Sequence, residues 1–174
     1  MGIIKKQIPV KLIVGFIFQD GRPLNEAKKY LVAKFGPIDH ATGIFPFTLT
    51  DYYEKEFGKD LKRNFISFHK LILPDKLPEI KILTNRIEEN LAGGQKRSIN
   101  IDPGYVDMSK LVLATTKDYS HRIYLAKGIF AEITLRYQEK QFKPWEWTYP
   151  DYKTKDYLDF FNKARNIYAN QIRK

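Results

Sequence analysis

Two stretches with helical spacing constrain the fold of this chain more than any other feature. Apolar residues recur at three- and four-residue intervals over residues 24–35 and again over residues 80–91, which is the pattern of helices with one buried face. Gly36-Pro37 ends the first helix and Gly93-Gly94 ends the second. Such helices need an apolar surface to pack against, and short apolar runs before each of them provide it.

These short apolar runs have the length and the Val, Ile and Phe content of strands. The predicted strands are residues 9–18, 43–49, 63–73, 98–101, 111–116, 122–125 and 130–137. A last amphipathic helix is predicted over residues 155–171, with Thr154 as its cap. The order predicts one α+β domain over residues 1–174 with a mostly antiparallel or mixed sheet. A ferredoxin-like strand-helix-strand half comes first, with its two helices on a common face, and a strand meander and C-terminal helix follow.

Composition excludes several classes of protein. The chain has no cysteine, so disulfides, thiol nucleophiles and cysteine-based metal sites are absent. The longest apolar runs are far below the roughly 20 residues that span a bilayer, and the amino terminus has no apolar leader. We therefore expect a cytoplasmic protein with no membrane segment.

The formal net charge of +10 favours polyanionic partners, with nucleic acid or a nucleotide foremost. The alternative is that the excess of lysine only keeps the protein in solution. The abundance of charged residues also resembles that of heat-stable proteins with ion pairs on their surface.

Residues 98–124 concentrate the side chains with the most versatile chemistry. The cations that we predict to hold phosphate groups lie in or beside this stretch and are Arg97, Lys110, Lys117 and Arg122. Asp102-Pro103-Gly104 is predicted to form a tight turn, because Asp caps the backbone, Pro fixes its dihedral angle and Gly permits the reversal.

A hairpin is predicted around Lys127-Gly128. Counting outward from this two-residue turn places His121 and Glu132 diagonally on one face of the sheet. A carboxylate that orients an imidazole serves general acid-base catalysis, so His121, Asp118 and Glu132 form the candidate catalytic set. The alternative is a histidine that only makes a structural hydrogen bond.

A divalent metal site is a second interpretation of this region. Asp118 precedes His121 by three residues, and Asp102 could approach from the neighbouring connection. Asp102, Asp118 and His121 would then be the ligands. Two other families are excluded, because the chain lacks the phosphate loop of GTPases and has only half of a paired His-x-Thr signature, at His40 in a predicted loop.

Residues 140–153 form an aromatic arm punctuated by proline. Trp145 and Trp147 are two positions apart, so both rings can lie on one side of the chain, either as packing or as a stacking platform for bases. The arm is expected to wrap over the domain.

Seven short motifs occur in order along the chain. They are Phe-Gly-Pro-Ile-Asp (35–39), Phe-Pro-Phe (45–47), Asp-Tyr-Tyr (51–53), Asn-Ile-Asp-Pro-Gly-Tyr (100–105), Lys-Leu-Val-Leu-Ala-Thr-Thr-Lys-Asp (110–118), His-Arg-Ile-Tyr-Leu (121–125) and Trp-Thr-Tyr-Pro-Asp-Tyr (147–152). Together they resemble a prokaryotic family known as domain of unknown function 4416. The resemblance implies no reaction, cofactor or partner.

The leading functional prediction is therefore a protein that binds a phosphate-bearing ligand, RNA or a nucleotide, through residues 102–122. The alternatives are a metal- or His-dependent phosphoester hydrolase and a protein-protein interaction subunit that uses the aromatic arm.

Overall fold

The computed structural model describes residues 2–4, 6–50, 53–94 and 96–173, with the backbone alone at Lys55. Within these ranges nine strands form one sheet, in which every strand pair is antiparallel. The strands are β1 Val10–Phe18, β2 Ile38–Ala41, β3 Phe45–Pro46, β4 Lys62–Ile72, β5 Ile99–Val106, β6 Lys110–Thr115, β7 Arg122–Ala126, β8 Ile129–Gln138 and β9 Gln141–Pro144. The α-helices are α1 Gly21–Phe35, α2 Glu54–Phe57, α3 Leu77–Asn90 and α4 Lys155–Ile172.

The strands follow one another across the sheet in the order β2-β4-β1-β5-β6-β8-β7, while β3 pairs with β4 and β9 pairs with β8. The path β1-α1-β2-β4-α3-β5 is the predicted ferredoxin-like half, and it confirms the α+β class. In the second half β8 returns between β6 and β7, so β7 is the outer strand. The predicted meander is therefore a hairpin of β7 and β8, and its second strand, β8, pairs with β6.

Both faces of the sheet are covered. On one face, Leu24 and Leu31 of α1 and Ile80 of α3 pack against Leu12 and Phe16 of β1, as the prediction of a common face requires. On the opposite face, α4 packs its aromatic side chains over Ile13 and Phe65. Burial from both sides explains why every residue of β1 is buried. Within the described residues, none of the helices is both long and apolar enough to cross a membrane.

The strand predicted over residues 43–49 is present but shorter, since the residues of this range that pair with β4 are Phe45–Pro46. A separate strand that was not predicted, Ile38–Ala41, also pairs with β4. His40, predicted in a loop, lies in β2, with its ring stacked on Phe160 at 5.2 Å. The helical turn predicted before Gly58 is present as α2, although its residues Asp51 and Tyr52 lie outside the described residues.

Asp102-Pro103-Gly104 lies within β5 and does not form the predicted turn. Pro103 is opposite Val14 of β1, and pairing with β6 starts only at the next residue. Because β5 does not pair with β6 at Pro103, the missing N–H of this proline removes no hydrogen bond between the two strands. Gly104 allows β5 and β6 to approach each other closely, because a Cβ there would collide with the Val112 carbonyl oxygen and the Leu113 side chain.

The hairpin has the predicted turn but a different register. Lys127 and Gly128 both have positive φ, 56° and 76°, as a type I′ turn requires. Ala126 is opposite Ile129 as predicted, but the pairing shifts at Leu125 and places Arg122 opposite Glu132. A β-bulge at one residue causes this shift, and counting from the turn could not foresee it.

Candidate functional site

The sheet opens between two of its central strands. β5 and β6 pair only over residues 104–106 and 111–113, although β5 begins at Ile99 and β6 continues to Thr115. A cavity of about 780 Å³ is lined by side chains of both strands in this region and by α3. The cavity therefore lies where a continuous sheet would have had further ladder bonds.

Two side chains of α3 satisfy the backbone of β5 at this opening. Glu88 Oε1 accepts a hydrogen bond from the Ile101 N–H at 2.5 Å, and Lys81 Nζ donates to the Ile101 carbonyl oxygen at 2.9 Å. Both side chains are almost fully buried. Burial raises the pKa of Glu88, although Lys81, Arg97 and the Ile101 N–H counteract it. The edge of β5 is thus closed by helix side chains.

Arg63 of β4 is the most deeply buried cation of the cavity, with 1% of its surface exposed. Its Nη2 donates to the Tyr152 hydroxyl at 2.6 Å and lies 3.9 Å from Asp151, and its guanidinium lies over the Phe65 ring at 4.5 Å. Burial acts to lower the pKa of Arg63, but Tyr152, Asp151 and Asp102 outweigh it and raise that pKa. Arg63 Nε has no hydrogen-bond partner among the described residues.

Asp102 lies between two buried cations. Its carboxylate is 3.5 Å from Arg63 Nη1 and 3.7 Å from Lys81 Nζ, and it accepts a shorter hydrogen bond from Asn100 at 2.7 Å. One carboxylate is therefore shared by two positive charges at long distances. We call Arg63, Lys81 and Asp102 the cavity floor.

Arg97 connects two elements across one wall of the cavity. Its Nε and Nη2 bind both carboxylate oxygens of Glu56 at 2.5 and 2.7 Å, and its Nη1 binds Glu88 at 2.8 Å. These bonds raise the pKa of Arg97. The short helix α2 is thereby tied to α3 by charge-assisted hydrogen bonds.

His121 and Glu132 meet at the opposite wall. His121 Nε2 is 3.2 Å from Glu132 Oε2, which also accepts a hydrogen bond from Arg122 Nε at 2.9 Å. Arg122 further donates to the Lys117 carbonyl oxygen and to the Tyr149 hydroxyl. Every nitrogen of the Arg122 guanidinium thus has a protein partner.

A column of stacked rings continues from His121. Its ring lies between those of Tyr119 at 6.1 Å and Trp147 at 5.5 Å, and Trp147 stacks on Trp145 at 5.1 Å. Arg136 covers Trp145 at 4.1 Å. Tyr119 and Trp147 are 57% and 38% exposed and line the cavity. The two tryptophans therefore pack on each other while Trp147 presents surface to the cavity. We call Tyr119, His121 and Trp147 the aromatic rim.

The family model described as "Domain of unknown function (DUF4416)" matches residues 8–168. The chain belongs to this family. Comparison with curated proteins and with solved structures found no match. The family description names no ligand and no reaction.

The structure brings most of the predicted site residues to this cavity. Those that line it are Arg97, Asp102, Lys117, His121, Arg122 and Glu132. Lys110 does not, because it lies at the other end of β6 and pairs with Asp107 at 2.7 Å. Asp118 does not either, because the exposed connection after β6 carries it outside the lining.

The predicted metal set is not assembled. Asp102 and His121 line the cavity without Asp118. Over residues 2–4, 6–50, 53–94 and 96–173, no group of three or more His, Asp and Glu side chains could hold a metal ion. The separation follows from the fold, because Asp102 lies within a strand and Asp118 lies in an exposed loop.

Sequence reasoning missed two residues of the site, Lys81 and Glu88, and it considered Arg63 only as one of several cations that could contact a nucleic acid. Arg63 begins an apolar run, where a cation normally marks the exposed end of a strand. Lys81 and Glu88 had a usable signal, because with Thr84 they form a polar stripe beside the apolar stripe of α3, and all three are buried. A buried polar stripe on a helix indicates partners that the helix must bind.

Proposed function

We propose that the cavity binds a small ligand that carries a phosphate group and a planar ring, with the size and chemistry of a nucleotide. The observation that supports this most strongly is that one cavity combines buried cations at its floor with exposed stacked rings at its rim.

The floor favours an anion because its cations retain hydrogen-bonding capacity. Arg63 carries five N–H donors in a fixed fork, and its Nη1 is 3.5 Å from Asp102, which is longer than a strong hydrogen bond. Lys81 and Arg63 share one carboxylate at distances beyond a strong hydrogen bond. Arg97 and Arg122, in contrast, already have protein partners on each nitrogen. We therefore assign the phosphate to Arg63 and Lys81.

The rim favours a planar ring. Tyr119, His121 and Trp147 are nearly parallel, with interplanar angles of 8° and 18°. Exposed parallel rings offer a surface on which any base can stack. Polar side chains that line the same cavity, such as Asn85 and Thr115, provide hydrogen-bond donors and acceptors for ring substituents.

Size distinguishes a nucleotide from a long RNA. A volume of about 780 Å³ is in the range of small-ligand pockets, which is roughly 300 to 1,000 Å³. Proteins that follow an RNA backbone place their cations along an exposed groove. Here the two cations of the floor are 1% and 7% exposed, so we favour a mononucleotide.

Isothermal titration calorimetry with AMP, adenosine and inorganic phosphate tests this proposal. AMP should bind more tightly than either fragment, because only AMP fills both the floor and the rim. Tyr119→Ala should weaken AMP binding by about 5- to 150-fold, equivalent to stacking of about 1 to 3 kcal/mol, and should leave binding of inorganic phosphate unchanged. Arg63→Lys should weaken both AMP and phosphate, because lysine lacks the guanidinium fork.

Lys117→Ala and Lys110→Ala form a matched pair of controls. Both remove one positive charge near β6, but only Lys117 lines the cavity. Lys117→Ala should weaken AMP binding more than Lys110→Ala does. Equal losses of affinity would mean that the net charge attracts AMP diffusely. Absence of binding by AMP and by phosphate at low salt would refute the proposal. A short RNA that binds more tightly than AMP, with a steep salt dependence, would favour RNA instead.

A further inference from the structure

We infer that the cavity hydrolyses a phosphate ester, with His121 as the general base and Glu132 as the residue that positions it. This inference rests on the proposed function, because the ester must be held by the same floor that binds the phosphate. It adds a reaction class to a binding site.

The hydrogen bonds of His121 leave one ring nitrogen available as a base. Glu132 is a buried carboxylate, so the His121 Nε2 at 3.2 Å is the nitrogen that carries the proton. Nδ1 then holds the lone pair, and it forms no hydrogen bond with the part of the chain that the structure describes. The imidazole lines the cavity and is 23% exposed. Its basic nitrogen is thus open to a water molecule or a ligand.

Two further contacts hold the imidazole in place. Tyr119 and Trp147 stack on it at 6.1 and 5.5 Å, and they limit rotation of its ring. Glu132 is fixed in turn by Arg122 Nε at 2.9 Å and by the Thr134 hydroxyl at 3.3 Å. A fixed carboxylate maintains the tautomer of a catalytic histidine and stabilises the imidazolium that forms during proton transfer.

The Tyr149 hydroxyl belongs to the hydrogen-bond network that holds Glu132. It accepts a hydrogen bond from Arg122 Nη2 at 2.8 Å. The pKa of Tyr149 is raised chiefly by burial, and both Glu132 and Asp102 contribute to the increase. His121, Tyr149, Arg63 and Lys81 all line the same cavity, so the base and the phosphate site share one continuous space.

The reaction balances with water as the only co-reactant. His121 Nδ1 removes a proton from a water molecule while the water oxygen forms a bond to phosphorus. The ester P–O bond breaks, and the departing oxygen takes a proton from solvent. The imidazolium then returns its proton to solvent. Arg63 and Lys81 stabilise the charge that develops on the phosphoryl oxygens.

The experiment measures hydrolysis of p-nitrophenyl phosphate and bis(p-nitrophenyl) phosphate by the full chain in EDTA. His121→Ala should lower kcat by about 10² to 10⁴, the usual contribution of a general base. Added imidazole should restore part of this rate, because it can enter the space that the side chain leaves. A merely structural histidine would not be rescued. His69→Ala, at an exposed histidine of β4, is the matched control and should retain full activity.

Glu132→Gln tests the positioning role. It should lower kcat with a smaller change in KM, because substrate contacts the floor and not Glu132. His121→Asn, which fills more of the space, replaces His121→Ala if circular dichroism shows that the alanine variant is unfolded. Binding of inorganic phosphate should persist in both histidine variants.

The outcomes separate the two proposals. Binding of AMP without turnover of either ester, with or without added divalent metal, overturns the hydrolase and leaves the binding proposal standing. Turnover that appears only with added metal, or that survives His121→Ala, overturns the role of His121 as base. Failure of AMP and phosphate to bind overturns both proposals.

Discussion

Glu88 accepts a hydrogen bond from the backbone N–H of Ile101, 13 positions further along the chain, at 2.5 Å. Lys81 Nζ donates a hydrogen bond to the carbonyl oxygen of the same residue. A helix therefore provides to β5 the hydrogen bonds that a neighbouring strand would normally provide. The opening between β5 and β6 is a stable part of the fold, since no backbone group of Ile101 is left without a partner there.

Glu88→Leu should decrease the free energy of unfolding by about 2 to 4 kcal/mol, because it leaves the buried Ile101 N–H without its acceptor and removes one of the carboxylates that bind Arg97. Glu88→Gln should decrease the free energy of unfolding by less, since its amide oxygen can still accept the hydrogen bond from the Ile101 N–H. Glu89→Gln, at the exposed neighbouring position, serves as control and should have no measurable effect. Urea unfolding measures all three, and equal stability of Glu88→Leu and wild type would contradict the role of Glu88.

Lys11→Met should decrease the free energy of unfolding by about 3 to 5 kcal/mol. Lys11 is fully buried and binds Asp39 at 2.6 Å and the Phe68 carbonyl oxygen at 3.0 Å, so its loss leaves a carboxylate without its counter-charge. Lys29→Met is the control, because Lys29 pairs with Glu26 at 2.7 Å on the surface. Surface pairs contribute little. Similar losses in both variants would show that burial does not decide the contribution.

Gly104→Ala should lower the melting temperature by several degrees, equivalent to about 1 to 3 kcal/mol of overpacking. The added Cβ would collide with the Val112 carbonyl oxygen, which cannot move without separating β5 from β6. Gly43→Ala is the matched control, since a Cβ at Gly43 meets nothing within 4 Å. Differential scanning calorimetry on both variants makes the comparison. A thermally neutral Gly104→Ala would mean that the strands adjust freely.

His40 should make the protein less stable in mild acid. Its pKa is lowered by burial and further by Lys163, while Asp39 acts in the opposite direction. The unfolded chain therefore takes up a proton first, at about pH 6.5, and stability is lost as pH falls from there through the lower pKa of the folded state. His40→Phe keeps a ring against Phe160 and should remove this part of the loss.

Urea unfolding of wild type and His40→Phe at pH 7.5 and 5.5 provides the measurement. Other titrating groups contribute equally to both proteins, so the difference between their losses isolates His40. His69→Phe controls for removal of a histidine at an exposed position. Identical losses in wild type and His40→Phe would disprove the assignment.

Much of the fold could be predicted because its signals are local. Helices α1, α3 and α4 have apolar repeats that identify their buried faces, and Tyr157 and Phe161 are buried as their spacing indicates. The contact between His121 and Glu132 was also predicted, but for an incomplete reason. The bulge at Leu125 changed the register, and the contact persists because His121 is adjacent to Arg122, the true partner of Glu132.

The sequence by itself determined the order of helices α1, α3 and α4 and of most strands, the shared face of α1 and α3, and the concentration of polar chemistry around residues 98–124. Only the tertiary structure decided where the cavity is and which charges form it. Periodicity shows which side of an element is buried but not which element covers it. Arg63 meets Asp102 and Tyr152 from distant segments, and Lys81 and Glu88 reach Ile101 from another element. Those contacts depend on how helix and sheet are placed in space, which no spacing along the chain records.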